Sequence, residues 1–263
     1  MLVHVIADYG HGDLAFAEVI QRIKYYLPDA EPVLTPVPPF STLAAGFCIA
    51  QLALNQAPSG TLIYHNVAPR EDEQDPRRDN TGERLAFARL ATGVRVIGVN
   101  AGYAFAFLRD VAQDLRWAAA PAGGSQFRSR DIFPQAAATI ALGQPDGLAQ
   151  RIPRRAIPQV PSNRVAYVDG YGNLKTTIKP GRVEGMAGAR IRLKIGTVER
   201  EVIASEASFA VEPGQLAFAP GSSGWHDARG SEARWLEVFL RAGNAWEAFG
   251  RPPVGTQIRL ILD

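Results

Sequence analysis

The chain has 263 residues, of which 46% are hydrophobic and 21% charged. That balance belongs to a globular protein and argues against disorder. With 28 Lys and Arg against 26 Asp and Glu, the net charge is +2. Long-range attraction to nucleic acid or to an anionic membrane is therefore not expected. Cys48 is the single cysteine, so an internal disulfide or an all-thiolate metal site is excluded. No apolar run reaches the roughly 18 residues a membrane-spanning helix needs. Asp8 interrupts the N-terminal apolar stretch where a secretory signal would still be running, so a cytoplasmic location is expected.

Residues 2–7 (LVHVIA) are apolar and rich in β-branched side chains, and Asp8-Tyr9-Gly10 ends the run. The pattern predicts a buried strand followed by a loop. Residues 14–26 carry apolar side chains at helical spacing, and residues 31–37 form a second strand pattern. Ser41 is placed to N-cap a helix over 42–54 that is apolar nearly all round, hence buried. Residues 61–65 follow as a third strand. Strand–helix alternation of this kind indicates an α/β layer with a mostly parallel sheet. A densely charged run at 69–80 breaks the order and reads as a solvated loop. Strands are expected at 85–89 and 94–99, a helix at 103–115, and another at 131–142 with Pro134 in its first turn. Prolines 145, 153, 158 and 161 mark 146–162 as a stiff linker between domains at 1–145 and 163–263. Beyond it, strand patterns recur at 164–168, 174–178, 190–195, 198–204, 216–219, 235–240 and 256–262. They predict a small antiparallel β-barrel or sandwich.

Three constellations carry chemistry. Asp8 follows the first strand, at the edge of an open sheet where ligands bind; it reads either as an acceptor for a ribose diol or as a turn residue. Asp169-Gly170-Tyr171-Gly172-Asn173 lies between two strands. It reads either as a hairpin turn or as a carboxylate, ring and amide gathered around a polar ligand. The segment 125–133 (SQFRSRDIF) leads into a helix, where Arg128 and Arg130 are placed either to hold an anion or merely to flank a capped start. GxGxxG, Walker, HExxH and GxSxG motifs are absent, and the four histidines lack metal-ligand spacing, so no metal is expected.

Taken in order, these segments resemble the SAM hydroxide adenosyltransferases, a family that includes the SAM-dependent fluorinases and chlorinases. The likeness runs through Ala7-Asp8-Tyr9-Gly10 with Asp13, Pro39-Phe40, Ser59-Gly60-Thr61 and Phe127 to Phe133. It continues in Val168 to Leu174, Ser222-Ser223-Gly224-Trp225, Leu236-Glu237 and Gly243-Asn244-Ala245. The resemblance implies a homotrimer that binds SAM between subunits, with no cofactor beyond SAM as substrate. It implies that Asp8 holds the ribose hydroxyls and that Phe40 packs near the sulfonium. Asp169 would take the methionine ammonium, Tyr171 would stack near adenine and Asn173 would bond its edge. Ser222 would meet the methionine carboxylate, and Ala245 would offer backbone contacts to adenine. The implied reaction is in-line displacement at C5′ by water, giving adenosine and methionine.

The catalytic positions depart from the family. Its Asp falls on Asn66 and its His on Arg128, while Ser129 stands where many members have Gly and the fluorinase branch has Ser. The family's arginine falls on Glu73 without a gap, or on Arg77 or Arg78 with an insertion. Asn66 can hold a water but cannot take its proton, and Arg128 cannot act as a base. Two readings follow: a SAM hydrolase with a rearranged water-holding set of Asn66, Arg128 and Ser129, or a protein that binds SAM or adenosine without turnover.

Overall fold

The computed structural model describes residues 1–69, 82–121, 123–226 and 232–261. The chain divides into two compact units, Met1–Gln159 and Val160–Asp263.

The first unit starts with β1 (Leu2–Ala7), α1 (Leu14–Tyr26), β2 (Glu31–Pro36), α2 (Thr42–Ala53) and β3 (Leu62–Asn66). It continues with β4 (Leu85–Arg89), β5 (Arg95–Val99) and β6 (Asp114–Ala118). Two short helices, α3 (Arg128–Asp131) and α4 (Phe133–Ala141), precede β7 (Leu148–Arg151). The strands form one sheet in the order β2-β1-β3-β5-β4-β6-β7. The first four are mutually parallel. The rest pair antiparallel, so the sheet is mixed and not mostly parallel as expected. The reason is local: β4 and β5 are joined through Thr92-Gly93, with the Gly93 N–H bonded to the Leu90 carbonyl at 3.0 Å. So short a connection can only reverse the strand.

Val3, Val5 and Ala7 of β1 pack with Phe16, Val19 and Ile23 of α1 and with Phe133, Ala137 and Ile140 of α4. The alternate residues of the strand face the other side, where α2 lies against β1, β3 and β5. Asp13 caps α1 through the Ala15 N–H at 2.8 Å, and Ser41 caps α2. Such caps stabilise a helix by about 1 kcal/mol each. The all-round apolar character of α2 has a cause: a segment around Ala106–Leu108 covers its far side. That segment is a single 3-10 turn, not the expected helix over 103–115, and the chain then extends into β6. Residues 146–162, expected as a linker, contain β7, which is hydrogen-bonded to β6.

The second unit holds β8 (Val165–Val168), β9 (Leu174–Thr176), β10 (Arg190–Ile195), β11 (Val198–Ala204), β12 (Leu216–His226), β13 (Glu232–Leu240), α5 (Ala245–Ala248) and β14 (Ile258–Ile261). Its sheet runs β14-β10-β11-β12-β13-β9-β8. All its pairs are antiparallel except β11 with β12, a short parallel contact the sequence pattern does not indicate. An isolated bridge between Arg164 and Gln257 brings the two edge strands together, so the sheet curls on itself. Leu193, Phe218, Leu236, Val238 and Ile258 fill the interior. Among the described residues no helix is long and apolar enough to cross a membrane.

Candidate ligand sites in the two units

In the first sheet β1 lies between β2 and β3, and all three are parallel. The chain leaves β1 toward one neighbour while the other neighbour enters from the opposite side. The carboxyl ends of β1 and β3 therefore flank the topological switch point, the place where open α/β sheets bind ligands. Asp8 and Tyr9 follow β1, and Asn66 ends β3.

The groups there are organised by hydrogen bonds. The Asp8 carboxylate accepts the Phe40 N–H at 2.9 Å. Phe40 is held at φ 60° and is 49% exposed. A non-glycine residue costs of order 1–3 kcal/mol in this left-handed region, and such strain clusters at ligand sites. Asn66 Nδ2 donates to the Tyr9 hydroxyl at 3.1 Å, and that hydroxyl lies 2.6 Å from Ser129 Oγ. Burial first of all, and the nearby Asp8 charge, push the Tyr9 phenol up to about 12, against the Ser129 and Asn66 hydrogen bonds. Tyr9 therefore remains a phenol at neutral pH, and its ring is fixed edge-on to Phe16 and Phe127. Below it, the buried Tyr64 hydroxyl donates to the Ser129 carbonyl at 2.5 Å.

Arg128 does not share this network. Its guanidinium donates to the Glu83 and Pro121 carbonyls at 3.1 and 3.0 Å and stacks over Phe133. Arg130 pairs with Glu18 at 2.8 Å and Asp131 at 2.7 Å, and its hydrogen bonds hold Asp131 down to about 2. Both arginines are thus engaged by groups of the protein itself. His65, next to Asn66, is fully buried, and burial lowers its pKa to about 3. Its ring lies flat on β5: a Cβ at Gly98 would clash with His65 Cδ2, so only glycine fits there. Cys48 is buried, and its thiol is pushed up to about 12. Glu73, Arg77, Arg78 and the rest of the acidic loop lie outside the described residues.

The second unit contains a cleft of about 940 Å³ lined by Asp169, Tyr171, Asn173 and Ser222 together with Lys175, Glu237 and others. Its volume lies within the usual range for small-molecule sites, roughly 300–1,000 Å³. The 169–173 turn is both of the things the sequence leaves open. Asp169 Oδ1 accepts the Tyr171 and Asn173 N–H groups at 3.0 Å, and Oδ2 accepts Asn173 Nδ2 at 2.9 Å. This is an Asx turn that also faces a cavity. Burial raises the Asp169 pKa, but the side-chain and backbone bonds from Asn173, with Lys175 beside it, outweigh that and hold it below its ordinary value. Gly172 sits at φ 81°, and a Cβ there would clash with the Asn244 side chain. Asn244 in turn caps α5 through the Glu247 N–H at 2.9 Å. Tyr171, 82% exposed, rises from the turn, and Phe209, 72% exposed, stands on the same cleft. Ala245 is fully buried in the core, and Ala242 and Gly243 line the cleft instead.

Three contributors escape a reading of the sequence alone. Tyr9 stands there only as part of a motif, although it joins Asn66 to Ser129. Lys175 and Glu237 do not stand out as a pair, yet they face each other across β9 and β13 and form a buried ion pair. Their signal is slight: each is a single charge flanked by apolar residues, Lys175 after Leu174 and Glu237 between Leu236 and Val238. Among the described residues no three His, Cys, Asp or Glu side chains gather as a metal site.

No family model matches this chain, and no curated protein does. Solved structures do. An uncharacterized conserved protein from Thermotoga maritima superposes with a TM-score of 0.76 at 20% identity, covering 98% of this chain and 100% of its own. A conserved hypothetical protein from Thermus thermophilus gives a TM-score of 0.66 at 23% identity, over 98% of this chain and 99% of its own. At these identities the likeness establishes a shared fold.

Proposed function

We propose that this chain is an adenine-nucleoside-binding protein of the SAM hydroxide adenosyltransferase kind, taking SAM or adenosine. One observation carries the reading. A carboxylate, Asp8, stands at the switch point of the first sheet, locked against the backbone of a strained, half-exposed Phe40. A carboxylate in such a crevice is suited to accept both hydrogen bonds of a ribose diol. Tyr171 and Asn173 on the second unit's cleft offer the stacking surface and the amide an adenine needs.

Hydrolysis of SAM at C5′, giving adenosine and methionine, is favoured by one feature, the chain of Asn66, Tyr9 and Ser129. These groups can hold a water. None of them can take its proton near neutral pH: Asn66 is an amide, Tyr9 stays protonated to about 12, and Ser129 is an ordinary hydroxyl. His65 is sealed in the core with a pKa of about 3. Binding without rapid turnover is therefore the better-supported reading.

Calorimetric titration tests it. Adenosine should give a saturable heat that Asp8→Ala weakens at least tenfold. Incubation with SAM should release no more adenosine than the uncatalysed background. Absence of any nucleoside binding would overturn the proposal. Rapid adenosine release would replace binding by hydrolysis.

A further inference from the structure

The 169–173 turn fixes more than the backbone. Asp169 Oδ1 accepts the Tyr171 and Asn173 N–H groups at 3.0 Å each, so the carboxylate cannot rotate without losing both. Oδ2 is left to Asn173 and accepts its Nδ2 at 2.9 Å. Asn173 is held as firmly. Its main-chain carbonyl accepts the Asp169 N–H at 3.2 Å, and Leu174, next in the chain, begins β9 and is fully buried. A carboxamide has one accepting end and one donating end, whereas a carboxylate only accepts. Burial opposes ionisation of Asp169, but the Asn173 bonds and Lys175 outweigh it, so the acceptor persists at neutral pH. Asn173 must therefore give its NH2 to Asp169 and turn its Oδ1 away. Among the described residues nothing donates to that Oδ1. Asn173 lines the cleft together with the exposed ring of Tyr171.

We infer that Asp169 is a positioning residue for base recognition: it fixes the Asn173 amide so that an acceptor is left to the cleft, which then selects rings carrying an amino donor. The inference rests on the nucleoside reading above and deepens it to a ligand class, 6-aminopurines over purines without a donor at that position. An amide free to flip would serve either kind of edge, because its two ends are nearly the same size. An amide locked by a carboxylate cannot. The Asn173 N–H that Asp169 does not use can meet the ring nitrogen beside the amino group, so the amide can grip adenine by two bonds. A ring without the amino group leaves Oδ1 desolvated and unpaired, and polar sites reject such analogues strongly.

The experiment titrates the full chain with adenosine and with purine riboside, the same nucleoside without its 6-amino group. Adenosine should bind at least tenfold more tightly. In Asp169→Asn the two backbone N–H groups still claim the accepting end of the new side chain, so an NH2 faces Asn173. The Asn173 amide must then turn over and offer the cleft a donor. The preference should fall at least tenfold, to parity or below. Both ligands carry the same ribose, so their ratio cancels any contact that Asp169 makes to another part of the ligand. Equal affinities in the unaltered chain would overturn the inference and leave the nucleoside reading standing. An unchanged preference in folded Asp169→Asn would also overturn it. Failure of both nucleosides to bind would overturn the nucleoside reading and the inference with it. Should Asp169→Asn not fold, the side-chain NH2 resonances of Asn173 in the unaltered chain decide the contact. Its two protons should be split more widely than those of exposed asparagines, and an ordinary splitting would overturn the assignment.

Discussion

The two candidate sites are assembled by different forces. In the first unit, Tyr9, Asn66, Ser129 and Tyr64 are joined by neutral hydrogen bonds near the carboxyl ends of the parallel strands β1 and β3. In the second, Lys175, Glu237 and Asp169 are joined by charge within an antiparallel barrel-like sheet. Neutral hydrogen bonds contribute roughly 1 kcal/mol each and can be lost singly. A buried ion pair gives little net stability, but removing one partner leaves an uncompensated charge. The first site should therefore tolerate substitution, and the second should be brittle.

Glu237→Leu probes the brittle side. It strips Lys175 of its closest partner, and thermal or urea denaturation should register a loss of about 3–5 kcal/mol. A loss near 1 kcal/mol would show that Asp169 alone compensates the ammonium.

Acidification separates the units next. His65 is neutral in the fold down to about pH 3, whereas the unfolded chain takes up a proton near pH 6.5. The unfolded state then holds more protons between these values, so stability falls as pH drops below about 6.5, by up to about 1.4 kcal/mol per pH unit. His65→Phe, which keeps a flat ring against Gly98, should remove that part of the slope. Asp169 acts further down. Its pKa is lowered in the fold, so the stability it lends is present above the ordinary carboxylate range and is lost as pH falls through the lowered value. Urea denaturation of the unaltered chain and the His65→Phe variant at several pH values would resolve both. A slope unchanged by the substitution would remove His65 from the account.

The smallest effect belongs to Tyr9→Phe. It deletes the hydroxyl between Asn66 and Ser129 and should cost about 1 kcal/mol, the usual net contribution of a neutral hydrogen bond. Adenosine affinity should change little, since Asp8 and Phe40 are untouched. A tenfold loss of affinity would place Tyr9 in the binding set.

The first five elements were legible because each satisfied a single rule. The apolar run 2–7, the helical spacing of 14–26 and the Ser41 cap all point the same way as the packing. The stretch 103–115 was not, because its alanines and phenylalanines fit helical spacing as well as they fit a covering turn. Burial against α2 decided for the turn, and pairing with β4 drew 114–118 into a strand. Asp8, Phe40, Asn66 and Ser129 were visible as polar or aromatic residues at strand ends and in motifs. Arg128 was visible too, but its guanidinium went to backbone carbonyls that no local pattern reveals. The Lys175–Glu237 pair depends on the register of two strands 62 positions apart, which only the folded sheet supplies.

The central claim is that a ribose is held by Asp8. The most direct measurement is electron density from crystals grown with saturating adenosine. Both ribose hydroxyls should lie within about 3 Å of the Asp8 carboxylate oxygens. A nucleoside bound elsewhere with Asp8 still facing only Phe40, or none bound at all, would contradict it.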